Sequence, residues 1–374
     1  MKILINLATL KKGGGQNVGL NFVQSFLRVA PSDVDAYFVV ARGTEIERFV
    51  IQSGLKILGT VPQNPLLRMV AEILKLNAKV KRLKIDVIYS CFGLGLYTNN
   101  IPQISGSADS NLYFPEIDFW QHYRGLGRLK KYIVDQYRIY GLKKSHAVVF
   151  ENEAMKQRAG RLFGLTETKY IKPSVNFDYE NEEFLLKSNK DTSKGLFLCG
   201  WQLNKNIMLI PEIANILQRR GVRFQFIFTA NDDQSLECKK FKNLLTKFGV
   251  EDNVKIVGQL SKKYLASIYQ QIDFVFLLSK LESFSNNIIE AWYFGKPLIV
   301  ADEKWSRSIC DEAAVYVDRD NPVVIADAIE KLLLEPQLSE SIKLRGLSKL
   351  KQYPSIDERT LQEIEYAKVI AREF

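Results

Sequence analysis

Short continuous runs of Val, Ile, Leu and Phe, each followed by a longer amphipathic stretch, recur along nearly the whole 374-residue chain, and this alternation limits the folds open to it. In the first half the runs are KILINLA, DAYFVVA, DVIYSCF, PQISGSA, HAVVFEN and KYIKPS; in the second they are GLFLCGW, RFQFIFTA, VKIVGQL, DFVFLLS, KPLIVAD and AAVYVD. A strand that is apolar on both faces has no solvent side, so it belongs in a parallel sheet covered by helices above and below. The alternation stops near Ser174 and restarts near Gly195, and the intervening VNFDYENEEFLLKSNKDTSK is polar and poor in strand signal. We therefore expect an α/β protein of two tandem doubly wound domains, residues 1–176 and 195–352, joined by a linker over 177–194. Such sheets bind ligands at the carboxyl ends of their strands, so two facing domains imply a cleft. The last segment, 353–374, reads as a helix capped by Ser355 or Asp357, with the first domain as one candidate for its packing partner.

Length and composition agree with a two-domain globular protein, at 46% apolar and 25% charged residues. No run approaches the roughly 18 apolar residues of a membrane span, and the opening MKILINLATLKKGGG reads as a buried first strand, not a signal peptide. Cys91, Cys199, Cys238 and Cys310 form no C-x-x-C pair, and with two histidines a Cys/His metal site is not expected. Reduced thiols place the protein in the cytoplasm. A net charge of +10 calls for an acidic partner. It is concentrated in NAKVKRLK (77–84) and RGLGRLKKYIVDQYRIYGLKK (124–144), the latter with Asp135 as its one acid. Nucleotide phosphates and an anionic membrane surface both fit; no nucleic-acid recognition motif is present, and nucleic acid is not expected.

The stretch LESFSNNIIEAWYFGKP (281–297) follows the strand DFVFLLS and concentrates the chemistry. Ile288, Ile289, Trp292 and Tyr293 have helical spacing, and Gly295 and Pro297 end the helix. Glu282 and Glu290 would stand about 12 Å apart on one continuous helix, so serving one small ligand requires the chain to turn between them. A helix N-terminus offers amides to phosphate, and a carboxylate can accept from the two vicinal hydroxyls of a ribose. Asn287 and Glu290 also have the spacing of a capping box, which would make Glu290 purely structural.

With GLFLCGWQLNKN before it and AAVYVDRDNPVVIADAIEKLL after it, this stretch resembles the retaining glycosyltransferases of the GT-B fold, glycosyltransferase family 4. The resemblance covers most of the second half and implies two Rossmann-like domains, with a nucleoside-diphosphate-sugar donor held mainly by the second. It implies that Glu290 binds the donor ribose, that Glu282 lies near the donor sugar, and that Phe284, Ser285, Asn286 and Asn287 present amides to the diphosphate. Lys205 matches the lysine that neutralises that diphosphate. An arginine usually follows the glycine of this motif; Trp201 stands there, leaving Arg307 as a candidate replacement.

In the first half, Gly13, Gly14 and Gly15 lie between a strand and a helix, where the family approaches donor phosphate and acceptor; Gly14 and Gly15 are the expected contacts. The spacing does not fit the dinucleotide fingerprint G-x-G-x-x-G. A bare turn without ligand contact is the remaining alternative. Where the family often carries a histidine, this chain has Ser107 or Asp109, with Ser110 beside them and His122 further on; Asp109 ranks first as the catalytic acceptor-side group. Asp33-Val-Asp35 and Asp318-Arg-Asp320 read as turns, and no metal is expected. The resemblance implies transfer of a sugar to a hydroxyl of a glycan or lipid-linked acceptor, in envelope polysaccharide or glycoconjugate synthesis, by a cytoplasmic enzyme on the inner face of the membrane. A two-lobed nucleotide-sugar binder and an epimerase or hydrolase on the same fold are the alternatives, and the sequence does not choose between uridine and guanosine donors.

Overall fold

The computed structural model describes residues 1–93, 95–96, 101–177, 179–180, 182–186 and 191–374. The chain divides into two compact units, one of residues 1–176 with 354–374, the other of 177–353.

Among the described residues the first unit is built on a seven-stranded parallel sheet in the order β3-β2-β1-β4-β5-β6-β7. Its strands are β1 (Lys2–Asn6), β2 (Asp35–Ala41), β3 (Ile57–Val61), β4 (Val87–Ser90), β5 (Gln103–Ser107), β6 (Ala147–Phe150) and β7 (Thr168–Tyr170). Six of them are the six runs named above. The seventh, β3, is an edge strand with a mixed half-buried and buried pattern, and its short ILGTV carries no uninterrupted apolar signal. Gly106 on β5 shows how closely the chain leaving the neighbouring strand β4 passes, since a Cβ there would lie 1.8 Å from the backbone oxygen of Cys91. Backbone cannot yield as a side-chain tip can, so Gly106→Ala is expected to cost the first unit about 3 kcal/mol, read as a lowered denaturant midpoint.

The second unit carries a six-stranded parallel sheet in the order β10-β9-β8-β11-β12-β13 among the described residues. The strands are β8 (Ser193–Phe197), β9 (Phe224–Phe228), β10 (Val254–Ile256), β11 (Phe274–Leu277), β12 (Leu298–Ala301) and β13 (Val315–Val317). Phe197, Phe224, Phe226 and Phe276 fill the centre of its core, with the Phe197 and Phe276 rings stacked 4.8 Å apart. In both sheets the order reverses beside the first strand, between β1 and β4 and between β8 and β11. Loops leaving such neighbours diverge to opposite faces and open a crevice at their carboxyl ends.

One boundary differs from the sequence expectation, and the terminal helix joins the first domain, the candidate named for it. The stretch read as a linker is built into the second unit: the Glu182 amide donates to the Lys263 carbonyl, Phe184 to the Ser267 hydroxyl and Leu186 to the Gln271 side chain, while the Phe177 ring stacks on Tyr293 at 4.4 Å. Backbone donors and aromatic surface are satisfied there, which polar composition conceals. The terminal helix Ile356–Glu373 belongs to the first unit. Ser355 caps it in a capping box with Glu358, and Ile364, Ala367 and Ile370 enter the core beneath β1 and β4. Its Arg359 meets Glu151 at 2.7 Å and Glu363 at 2.8 Å, all three buried.

Candidate functional site

The loops after β8 and β11 come from the two strands that flank the switch point of the second sheet, and they are tied to one another. The Lys280 amide donates to the Asn204 carbonyl at 2.7 Å. The Asn287 side chain donates to the Leu198 carbonyl at 3.0 Å. Lys205, in a short 3-10 turn, forms an ion pair through Nζ with Glu282 Oε1. The pair is about four-fifths buried, and the half-buried Cys199 thiol lies within electrostatic reach of both groups; desolvation pushes that thiol up to about 12. Lys205 and Glu282, far apart in sequence, are thus one unit in space. Asn206 completes the turn in the left-handed region, φ 61°, and its side chain holds the Arg319 carbonyl.

The helix over this stretch runs from Asn286 to Tyr293. Ser285 is its N-cap, no side chain caps the first turn, and no acid lies in it. The expected alternative for Glu290 does not form: Asn287 sits inside the first turn with its amide turned to Leu198, so there is no capping box. Glu290 is instead buried, accepting a hydrogen bond from the Tyr269 hydroxyl at 3.1 Å. The rings of Tyr269 and Phe294 stack at 4.5 Å, and Tyr179 packs on Phe294 at 5.1 Å. Burial in this aromatic setting raises the Glu290 carboxyl to about 7, against the opposing effects of the Tyr269 hydrogen bond and the Lys262 charge. A carboxyl so placed exchanges its proton near neutrality and lacks the full complement of partners it can accept. Phe284 lies 5.9 Å from Tyr353, ring to ring.

Trp201, at the position of the family arginine, is packed against Phe228 and Phe241 and donates its indole N–H to the Asn231 carbonyl at 2.8 Å. Arg307 does not replace that cation: its guanidinium forks onto Asp302 and lies over the Tyr316 ring at 4.3 Å. A further cation that reaches these loops, besides Lys205, is Arg319, which donates to the Lys280 carbonyl and pairs with Glu303 at 3.1 Å. Sequence reasoning passed over it because it lies between the two acids of Asp318-Arg-Asp320, a turn that the structure retains. Tyr269 was also missed; one tyrosine in an apolar helix carries no signal until its partner is known.

In the first unit, Gly13, Gly14 and Gly15 form the first turn of the helix Gly13–Val29, not a loop before it. Lys12 is the N-cap, without a side-chain cap and without an acid in the first turn. Gly13 has φ +62°, and a Cβ on Gly13 or Gly14 would meet nothing within 4 Å. Asp109 lies 3.2 Å from the Arg138 guanidinium, and burial raises its carboxyl while Arg138 opposes the rise. Ser107 shares a buried hydrogen bond of 2.8 Å with the Tyr113 hydroxyl, Ser110 begins a 3-10 turn, and His122 is exposed.

Residues 179–348, nearly the whole second unit, match the family model described as glycosyl transferases group 1. The segment that holds Lys205, Glu282 and Glu290 therefore carries the sequence pattern of a sugar-transferring enzyme. Alpha-D-kanosaminyltransferase of Streptomyces kanamyceticus is 27% identical over 138 residues, 36% of this chain and 35% of that protein. The chain thus matches about a third of the length of this curated relative. In fold, the chain is similar to sucrose-phosphate synthase from Thermosynechococcus elongatus, with a TM-score of 0.75, 13% identity and 100% of each chain covered. It is also similar to HepE of Anabaena in complex with UDP, with a TM-score of 0.70, 15% identity, and 99% of this chain and 100% of that one covered. Both likenesses cover nearly the whole of each chain and concern the fold.

Proposed function

We propose that the protein is a retaining glycosyltransferase of glycosyltransferase family 4. It would move a sugar from a nucleoside-diphosphate donor to a hydroxyl of a glycan or lipid-linked acceptor in envelope polysaccharide or glycoconjugate synthesis. Its place would be the cytoplasm, at the inner face of the membrane. The observation that carries this reading is the junction of the β8 and β11 loops, where Lys205 meets Glu282 beside an uncapped helix N-terminus. An arriving diphosphate exchanges the Lys205 ammonium from one carboxylate to a doubly charged group, and releases Glu282 toward the sugar. The first-turn amides of Asn286–Tyr293 add fixed positive potential at the same place. Charge that develops on the departing diphosphate is stabilised by groups already oriented, without a metal. A phosphate oxygen takes the acceptor proton on the face from which the diphosphate leaves, which gives retention. Glu290 accepts from the ribose hydroxyls.

HepE, whose solved structures include complexes with UDP and UDP-glucose, supports a nucleoside-diphosphate sugar as the ligand class. Calorimetric titration with UDP and with GDP, no metal added, tests the reading. Micromolar binding of one nucleotide is expected, followed by release of that nucleotide from its glucose-type donor only when a saccharide acceptor is supplied. Binding of neither would overturn the donor site. Donor turnover without acceptor would favour a hydrolase or epimerase, and binding without turnover a two-lobed binder.

A further inference from the structure

A surface helix of a globular unit normally turns its apolar stripe to the core and its charges to water. The helix Gly125–Lys144 does the reverse. Of its twenty residues only Leu142 is buried. Leu126, Leu129, Ile133, Tyr137 and Tyr140 share one face by helical spacing, within an arc of about 80°, and all five are exposed, Leu126 by 85%. Leu142 apart, the inward side makes polar contacts. There the Asp135 carboxylate accepts from the Asn111 amide at 2.9 Å, from the Trp120 indole at 2.7 Å and from Arg138 at 3.3 Å, while Lys131 lies over the Trp120 and Tyr123 rings.

A second segment repeats the inversion. The helix Pro65–Ala71 continues into a π-helical turn, Glu72–Leu76, and Leu66, Leu67, Val70, Ile73 and Leu74 are all exposed along one stripe. Arg68 and Glu72 point inward instead, paired at 3.1 Å and buried. Tyr137 of the longer helix lies within electrostatic reach of this pair. Both are bordered by cations. Lys130, Lys143 and Lys144 are exposed on the first, and Lys75, Lys79, Lys81 and Arg82 on and just beyond the second. The one acid of 124–144, Asp135, is turned inward.

Outward leucine and tyrosine flanked by lysine, with the acid withdrawn, is the profile of a helix lying in an anionic bilayer interface. Tyrosine suits the headgroup level, with an apolar ring and a polar tip. A second copy of this chain would bring the same cations face to face, a like-charge contact that works against association. No helix among the described residues is long and apolar enough to cross a membrane, so the segments would lie on the surface.

We propose that the outward stripes of Gly125–Lys144 and of 66–74, with their flanking lysines, dock the first unit on an anionic lipid surface. The experiment is co-sedimentation of the full chain with vesicles of phosphatidylcholine alone or mixed with phosphatidylglycerol, at low and high salt. The same is done with the double variant Leu126→Glu/Ile133→Glu, whose sites are exposed and leave the core intact. Binding is expected with phosphatidylglycerol only, weakened by salt, and reduced roughly ten- to a hundredfold in the variant. Absence of binding, binding indifferent to phosphatidylglycerol, or equal binding by the variant would overturn the proposal. So would light scattering that shows a lipid-free dimer which the variant converts to monomer, since the stripe would then join two copies. None of these outcomes bears on nucleotide binding by the second unit.

Discussion

Lys205→Ala is expected to slow sugar transfer by roughly two to three orders of magnitude, the typical effect of removing one preoriented group from developing transition-state charge. The loss should fall mainly on kcat, with a smaller effect on donor affinity, because the diphosphate gains charge as the glycosidic bond breaks. The alanine variant also leaves Glu282 without its partner in a largely buried position. Lys205→Met with Glu282→Gln separates these effects, since the double variant retains a neutral pair. If lost charge stabilisation is the cause, the double variant stays as slow as the alanine variant although its thermal midpoint recovers. Steady-state rates and thermal unfolding of the three proteins decide it; a double variant with restored turnover would remove Lys205 from catalysis.

Glu290 gives the second large effect, with a pH signature. Its carboxyl ionises at about 7 in the folded protein, against an ordinary value of 4.5. Between those values the folded chain holds a proton that the unfolded chain has lost. This group's contribution to stability therefore falls as pH rises through that window, and is level above it. Donor affinity moves the other way. Ribose hydroxyls donate, and the ionised carboxylate is the acceptor they need, so affinity should rise as pH is taken from about 6 to about 8. Glu290→Ala should weaken binding roughly 10- to 150-fold at the upper end. Glu290→Gln should be weak and lack the carboxylate's part of the pH dependence, which also subtracts the titration of the nucleotide's own phosphate. Tyr269→Phe removes a donor that favours the ionised form, so the affinity midpoint should shift to higher pH. Titration calorimetry across pH reads all three, and a glutamine variant with the wild-type profile would exclude Glu290 from the ribose site.

The second unit was legible because its strands are apolar on both faces, a signal that needs no tertiary information. β3 escaped because an edge strand is only partly covered. The start of the helix Asn286–Tyr293 was hidden for a different reason. Asn287 and Glu290 satisfy the local capping rule, but the Asn287 amide is claimed by Leu198 from another loop and Glu290 by Tyr269. Local propensity yields there to partners supplied by the fold. Arg319 was hidden for the same reason, and the meeting of Lys205 with Glu282 became visible only when β8 and β11 proved to be neighbours. Charge in 124–144 was plain from the sequence, whereas the outward turn of its apolar stripe was not. Periodicity says which residues share a face; it is silent on which way that face points.

The terminal helix has a consequence for how the protein is made. The chain leaves the first unit at Asn176 and returns to it at Pro354, so the half synthesised first is the half completed last. Until residues 355–374 emerge, Glu151 lacks the Arg359 guanidinium and the core under β1 and β4 lacks Ile364, Ala367 and Ile370. The second unit, one uninterrupted stretch from Phe177 to Tyr353, has no such wait. Domains commonly mature from the N-terminus during synthesis. Here the nascent chain inverts that order, and the second unit stands finished while the first is still open.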